Sequence, residues 1–244
     1  VAEAQTAISN QTTVNANTPI LSNLSMDGKA WFIHPVAMLN YFKIMNQRTT
    51  FDRKYIPKDN EVYINVIAPK ERNLQGPLIV FDKHNILFKT HSLCRGTNRD
   101  RLKANGKGDT PTGLATTYYA PKRHNNKYSY GNYGLIYLNG KAGEFLIATK
   151  NGRSGIAIHC GHTTGYYNKS FEDLSCLMNT HGCIRIYNQA MRELGNLYEK
   201  LTKQGKTIYC YIEDYDGNIK DVYMHYGFDS DPKDVKRNKE SKRQ

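Results

Sequence analysis

From residue 62 onward the chain is cut into short runs rich in β-branched and aromatic residues: "VYINVI", "PLIVFD", "ILFKTHSL", "LATTYY", "YGLIYL" and "EFLIATK". Turn signals such as Asp82-Lys83-His84-Asn85 and Asn139-Gly140 separate them. Strands so short and so closely spaced predict a mainly β architecture, a sandwich or barrel. One long helix interrupts the pattern. Asn188 is placed to cap it, Met191, Leu194, Leu197, Tyr198 and Leu201 form its apolar stripe, and Gly205 suits its C-terminal end. Beyond it, "KTIYCYIE" and "IKDVYMHY" flank Asp216-Gly217 and read as a hairpin.

The β-rich region is expected over residues 59–226, with different material on both sides. Residues 1–24 are rich in Ala, Asn, Thr and Gln without apolar periodicity and read as a disordered leader or linker. Residues 25–58 read as a short helical lead-in, because Val36, Leu39, Tyr41, Phe42 and Met45 follow helical spacing after Pro35. Residues 227–244 end in "DPKDVKRNKESKRQ", a basic, solvated tail. The first residue is Val1 rather than Met, so a processed or excised chain is expected. No apolar run approaches the ~20 residues that span a bilayer, so no transmembrane segment is predicted. The net charge of +12 favours an anionic partner: nucleic acid, a lipid surface or an acidic cell-wall polymer. A nucleic-acid module would need a helix-turn-helix or an aromatic-basic platform; Tyr128, Tyr130 and Tyr133 are better explained by packing, so no nucleic-acid partner is expected.

Five cysteines at wide spacings do not make a disulfide scaffold, and the odd count leaves at least one thiol unpaired within a monomer. Two stretches stand out as chemistry. In "SGIAIHCGH", residues 154–162, Ile156, Ala157 and Ile158 read as a buried strand that ends at His159 and breaks at Gly161. In "HGCIRIY", alternation puts Cys183, Arg185 and Tyr187 on one face and Ile184 and Ile186 on the apolar other. A thiol needs a base to become a thiolate near neutral pH, and a nearby cation helps. His159 and Arg185 are of those types, and Gly182 would let the backbone N–H groups around Cys183 approach a developing oxyanion.

"IHCG" followed by "THGCIR" and a helix resembles the L,D-transpeptidase catalytic domain, the YkuD-type family of bacterial cell-wall enzymes. Upstream, "KGDTPTG" at residues 107–113 looks like the family's glycine-proline turn, and the resemblance covers roughly residues 60–213. It implies a YkuD-like β-sandwich without cofactor or metal, acting on peptidoglycan stem peptides in the bacterial cell envelope (periplasm or cell wall) or in a secreted setting. Cys183 would attack the carbonyl after diaminopimelate and form a thioester, His159 would shuttle the proton, and the backbone carbonyl of Cys160 would orient the His159 ring. Gly182 and Cys183 would supply oxyanion-hole N–H groups, while His181 and Arg185 would support the thiolate or hold a substrate carboxylate. Arg153 lies near the site in sequence and is expected either to meet an anionic substrate or to be a solvated surface arginine.

Three departures from the family pattern qualify this. His159 and Cys183 stand 24 residues apart, so Tyr166–Asn179 is expected to form an inserted loop lying over the site. Thr180 replaces the usual serine, and Cys160 is expected either to pair with Cys176 or simply to pack. Transfer to an amine would give transpeptidation or D-amino-acid exchange, transfer to water an L,D-carboxypeptidase, and a secreted antibacterial effector would use the same chemistry. The non-enzyme alternative is a zinc-stabilised binding domain drawing on His159, Cys160, His162, Cys176, His181 and Cys183, although the chain lacks the tight C-x2-4-C knuckles usual in such sites.

Overall fold

The computed structural model describes residues 21–22, 31–32, 57–121, 126–161 and 177–233. The chain divides into two compact units, Val1–Tyr55 and Ile56–Gln244. In the first, β1 (Leu21–Ser22) pairs antiparallel with β2 (Trp31–Phe32). Apart from residues 57–58, the rest of the expected leader and helical lead-in lies outside the described residues, as does most of the basic tail.

The second unit is built on eight strands: β3 (Glu61–Pro69), β4 (Gly76–Phe81), β5 (Ile86–Leu93), β6 (Gly113–Ala120), β7 (Leu135–Ala142), β8 (Ala157–His159), β9 (Ile184–Ile186) and β10 (Thr207–Tyr215). They close into a ring in the order β10-β3-β4-β5-β9-β8-β7-β6. The mainly β, YkuD-like expectation is borne out; hydrogen bonding runs unbroken around the ring. β10 with β3 and β8 with β9 are parallel, and every other neighbouring pair is antiparallel. Inside, Ile64, Val66, Leu78, Val80, Ile136, Ile158, Ile184 and Ile212 belong to one buried cluster. Each such side chain contributes about 1.5–3 kcal/mol on burial.

The long helix is α3 (Asn188–Lys203), and Met191, Leu194 and Leu201 of its predicted stripe are buried while Leu197 and Tyr198 are partly so. Gly205, at φ +74, follows its end as expected. Its N-terminus differs from expectation. Tyr187 occupies the cap position without a side-chain bond, and Asn188 Oδ1 accepts instead from the Gly161 N–H at 2.9 Å. The residue thereby ties the helix start to the loop that follows His159.

Two runs predicted as strands are helices. "EFLIATK" falls in α2 (Gly143–Lys150), with Phe145 and Ala148 buried at helical spacing and Glu144 accepting from the Thr112 N–H at 2.8 Å. "IKDVYMHY" gives α4 (Ile219–His225), where Ile219, Val222 and Tyr223 face inward and Asn218 caps by accepting from the Lys220 N–H. Asp216-Gly217 therefore leads from a strand to a helix rather than closing a hairpin. A short apolar run does not by itself choose between the two periods. Asn139-Gly140 is not a turn either; it lies within β7, where the register against β6 shifts, and a Cβ on Gly140 would sit 2.2 Å from the Phe145 carbonyl. The Asp82 turn is as predicted, its Oδ1 accepting from the His84 and Asn85 N–H groups. A one-turn helix, α1 (Lys127–Tyr130), had no sequence signal.

Replacing Asn188 by Ala leaves the Gly161 N–H buried without its acceptor and is expected to cost about 1–3 kcal/mol. A urea melt of the variant measures this, and an unchanged midpoint would show that the bond carries no stability.

Candidate active site

The chemistry-bearing residues are gathered by the shortest strands. β8 and β9 pair in parallel through Ile158 with Ile184 and His159 with Arg185. One step back along both strands, Ala157 stands opposite Cys183. Strand spacing and rise put the Cα atoms of His159 and Cys183 about 8 Å apart on one face. Ile158, Ile184 and Ile186 fill the opposite, core face.

His159 is buried at 2% exposure, and its Nδ1 lies 2.7 Å from the Cys160 carbonyl oxygen. A carbonyl only accepts, so Nδ1 carries the proton and Nε2 holds the free lone pair. The Tyr130 ring meets the imidazole edge-on, with centroids 5.0 Å apart. Burial, reinforced by the Arg185 charge and opposed by the Cys160 bond, takes the imidazole down to about 3. It is neutral at physiological pH.

Cys183 is half-buried, its Sγ 3.6 Å from the Gly155 carbonyl oxygen. Burial pushes the thiol above its ordinary value, while the Ala157 N–H, Arg185 and Arg153 pull it down. Arg185 is not exposed, and among the described residues it makes no ion pair. It is 3% exposed, and its Nη1 faces the carbonyls of Ser129 at 3.1 Å, Cys160 at 3.2 Å and Gly161. The guanidinium thus clamps the chain on both sides of the histidine loop. Burial lowers it to about 10, and the thiol beside it works the other way.

The cysteine loop is packed backbone against backbone. Gly182 has φ +115, and a Cβ there would lie 2.1 Å from Arg153 Nη2 and 2.9 Å from the Gly108 oxygen, so only glycine fits. Its N–H does not point to a free oxyanion site: it donates to Thr180 Oγ1 at 3.0 Å, and its carbonyl accepts from Thr110 Oγ1 at 2.9 Å. Thr180 Oγ1 also lies 2.8 Å from the Cys183 carbonyl. The Cys183 N–H, by contrast, makes no hydrogen bond among the described residues.

Arg153 is not a solvated surface arginine. At 5% exposure it lies behind Gly182, donating from Nη1 to the carbonyls of Asp100 and Arg101 and from Nη2 to Gly108 at 2.7 Å. His181 is exposed beside the thiol, lowered by partial burial and then by Lys107. Cys160 is a buried free thiol packed 3.6 Å from the Tyr130 carbonyl, the second of the two expectations for it. Thr110, Thr180 and Tyr130 were not anticipated as parts of the site. The first two lie inside the motifs, each two residues from a glycine, and were legible there as hydroxyls; Tyr130 carried no signal. His162, Cys176 and most of Tyr166–Asn179 lie outside the described residues. Among the described residues no three His, Cys, Asp or Glu side chains are grouped to hold a metal.

His159 at about 3 and His91 at about 4, both lowered chiefly by burial, bind protons less readily folded than unfolded. Their stabilisation is therefore complete above about pH 6.5, the unfolded value, and is lost as pH falls toward 4 and below. Urea midpoints measured from pH 7 to pH 4 should fall through this window, with a smaller slope in His159→Gln.

The family model described as the YkuD L,D-transpeptidase catalytic domain matches residues 73–209, more than half the chain and inside the stretch expected from sequence. No curated protein matches significantly. Among solved structures, the chain is similar to "Structure of Bdellovibrio bacteriovorus Bd1075" at 15% identity and TM-score 0.38, over 69% of this chain and 54% of that one. It is also similar to an L,D-transpeptidase from Mycobacterium smegmatis at 10% identity and TM-score 0.28, over 62% of this chain and 59% of that one. The chain thus spans a little over half the length of either protein. Because the matched residues contain both the His159 and the Cys183 motif, along with the turn and α3 that frame them, this chain belongs to the L,D-transpeptidase catalytic-domain family.

Proposed function

We propose that this protein is a cysteine acyltransferase acting on peptidoglycan stem peptides at the bond following diaminopimelate. The observation that carries the reading is the His159 Nδ1–H bond to the Cys160 carbonyl, which leaves Nε2 as the basic nitrogen one strand away from the Cys183 thiol. The thiol lies above its ordinary value and the imidazolium far below, so a separated ion pair is disfavoured at rest and proton transfer accompanies attack.

Cys183 Sγ forms the bond to the carbonyl carbon while His159 Nε2 takes the thiol proton. The oxyanion is met by the Cys183 N–H; the Gly182 N–H is already spent on Thr180 and positions the loop instead. Collapse of the tetrahedral species breaks the C–N bond, and His159 returns the proton to the departing amine. An incoming amine, deprotonated by His159, then cleaves the thioester, giving a crosslink or D-amino-acid exchange; water in its place would give L,D-carboxypeptidase activity. Arg185 and Arg153 act as positioning cations, because both are buried and face backbone carbonyls, Arg185 through Nη1 and Arg153 through both Nη atoms, whereas exposed His181 is the member of the motif that meets substrate. A peptidoglycan substrate implies work outside the cytoplasm, in the periplasm, the cell wall or a target cell's envelope.

Incubation with purified muropeptides and intact-mass spectrometry tests this. Wild type should carry an acyl adduct that Cys183→Ala lacks, and His159→Ala should slow turnover by about 10²- to 10⁴-fold. An adduct of equal yield in Cys183→Ala would overturn the assignment. The masses of the released products report the acceptor: crosslinked or exchanged species for an amine, shortened stems for water.

A further inference from the structure

We propose that the outer face of β6 and β7 is a saccharide subsite, which seats the glycan portion of a peptidoglycan donor while its stem peptide reaches Cys183. This rests on the acyltransferase reading above. The face carries two exposed tyrosines, Tyr118 at 67% and Tyr137 at 37% exposure, which stand directly opposite each other in the β6–β7 register. Thr116 and Asn139 form the next-but-one pair and share their face. A cleft of about 490 Å³ runs from these four residues to Ser154 and Gly155. Gly155 at this end also touches the thiol, its carbonyl oxygen lying 3.6 Å from Cys183 Sγ.

The lining decides the chemical class. Among the described residues it contains no acidic side chain, and the one cation there, Arg153, is buried with its guanidinium donating to backbone carbonyls. The charged ends of a stem peptide would find no counter-charge in this cleft. An uncharged ring with an apolar face and equatorial hydroxyls fits it: the phenol faces offer stacking area, and the threonine, serine and asparagine side chains offer hydrogen bonds. A second cleft, of about 540 Å³, has the opposite character, being lined by Lys70 paired with Asp216 and by Arg72 and Arg101, which share Asp214.

The spacing agrees. Tyr118, Tyr137, Ala157 and Cys183 stand in register on successive strands. Two strand spacings separate Tyr137 from Cys183, about 10 Å, and three separate Tyr118 from it, about 14 Å. In a stem where diaminopimelate is the third residue from the sugar, the peptide between the sugar and the acylated carbonyl spans at most about 10–11 Å. The sugar end of a stem acylated at Cys183 therefore arrives at Tyr137, and the saccharide extends from there over Tyr118.

The test compares wild type, Tyr118→Ala/Tyr137→Ala and Tyr118→Phe/Tyr137→Phe, with matching thermal melts confirming that each is folded. Binding is measured calorimetrically for the peptide-free N-acetylglucosaminyl-N-acetylmuramic disaccharide, the disaccharide-tetrapeptide and the sugar-free tetrapeptide; acylation of Cys183 by a carbapenem is followed separately. The alanine pair should weaken binding of both sugar-containing ligands about tenfold or more, leave the free tetrapeptide and carbapenem acylation unchanged, and be rescued largely by the phenylalanine pair. Undiminished disaccharide binding, or an equal loss for the free tetrapeptide, would overturn the subsite. Failure of the acyltransferase reading looks different: wild type would show no Cys183 adduct with any donor, whatever the tyrosine variants do to disaccharide binding.

Discussion

The site depends on a parallel ladder only two residue pairs long. β8 and β9 are each three residues, yet their register places His159 beside Arg185 and brings Cys183 to the same face. Sliding either strand by one residue would turn the histidine or the cysteine into the core. Ile158, Ile184 and Ile186 oppose that slip, because their burial would be lost with it. The parallel pairing also accounts for part of the long interval between the motifs: adjacent parallel strands need a crossover of about a dozen residues or more, whereas a hairpin needs two.

Two buried arginines hold the loops that follow these strands. Arg185 gathers the carbonyls of Ser129, Cys160 and Gly161 around the histidine, and Arg153 gathers those of Asp100, Arg101 and Gly108 behind the cysteine loop. Each exchanges hydration for a ring of fixed dipoles, so neither needs a carboxylate to remain in the interior. Both also act on Cys183 electrostatically, but desolvation outweighs them and leaves the thiol protonated at rest. The result is a neutral thiol and a neutral imidazole at physiological pH, held between two buried cations.

The segment from Gly96 to Asp109 supplies the other wall of this arrangement. Asp109 Oδ1 accepts from the Gly96 N–H at 2.8 Å, and Thr110 reaches across to the Gly182 carbonyl. A polar chain continues from there: Glu144 of α2 accepts from Thr112 and pairs with Arg101, which shares Asp214 with Arg72. The helix that sequence misread as a strand is thus one anchor of the turn leading to the cysteine loop.

What the sequence determined by itself was local. The α3 stripe, most of the strands, the Asp82 turn and the positions of His159 and Cys183 were legible because each is written in a period or a motif of fewer than about twenty residues. The position of Cys160 next to the histidine was legible for the same reason, and its carbonyl does lie on the ring. Only tertiary structure decided the rest. "EFLIATK" and "IKDVYMHY" became helices because the barrel offers one apolar surface to each, and a run of seven or eight residues satisfies either period. The Gly182 carbonyl found Thr110, 72 residues away, and Arg153 went from an apparent surface residue to a buried clamp through Asp100, Arg101 and Gly108, 45 to 53 residues away. Tyr118 and Tyr137 became one row leading toward Cys183 through a register that no local pattern encodes. Backbone approach and strand register are set by long-range packing, and side-chain identity alone does not contain them.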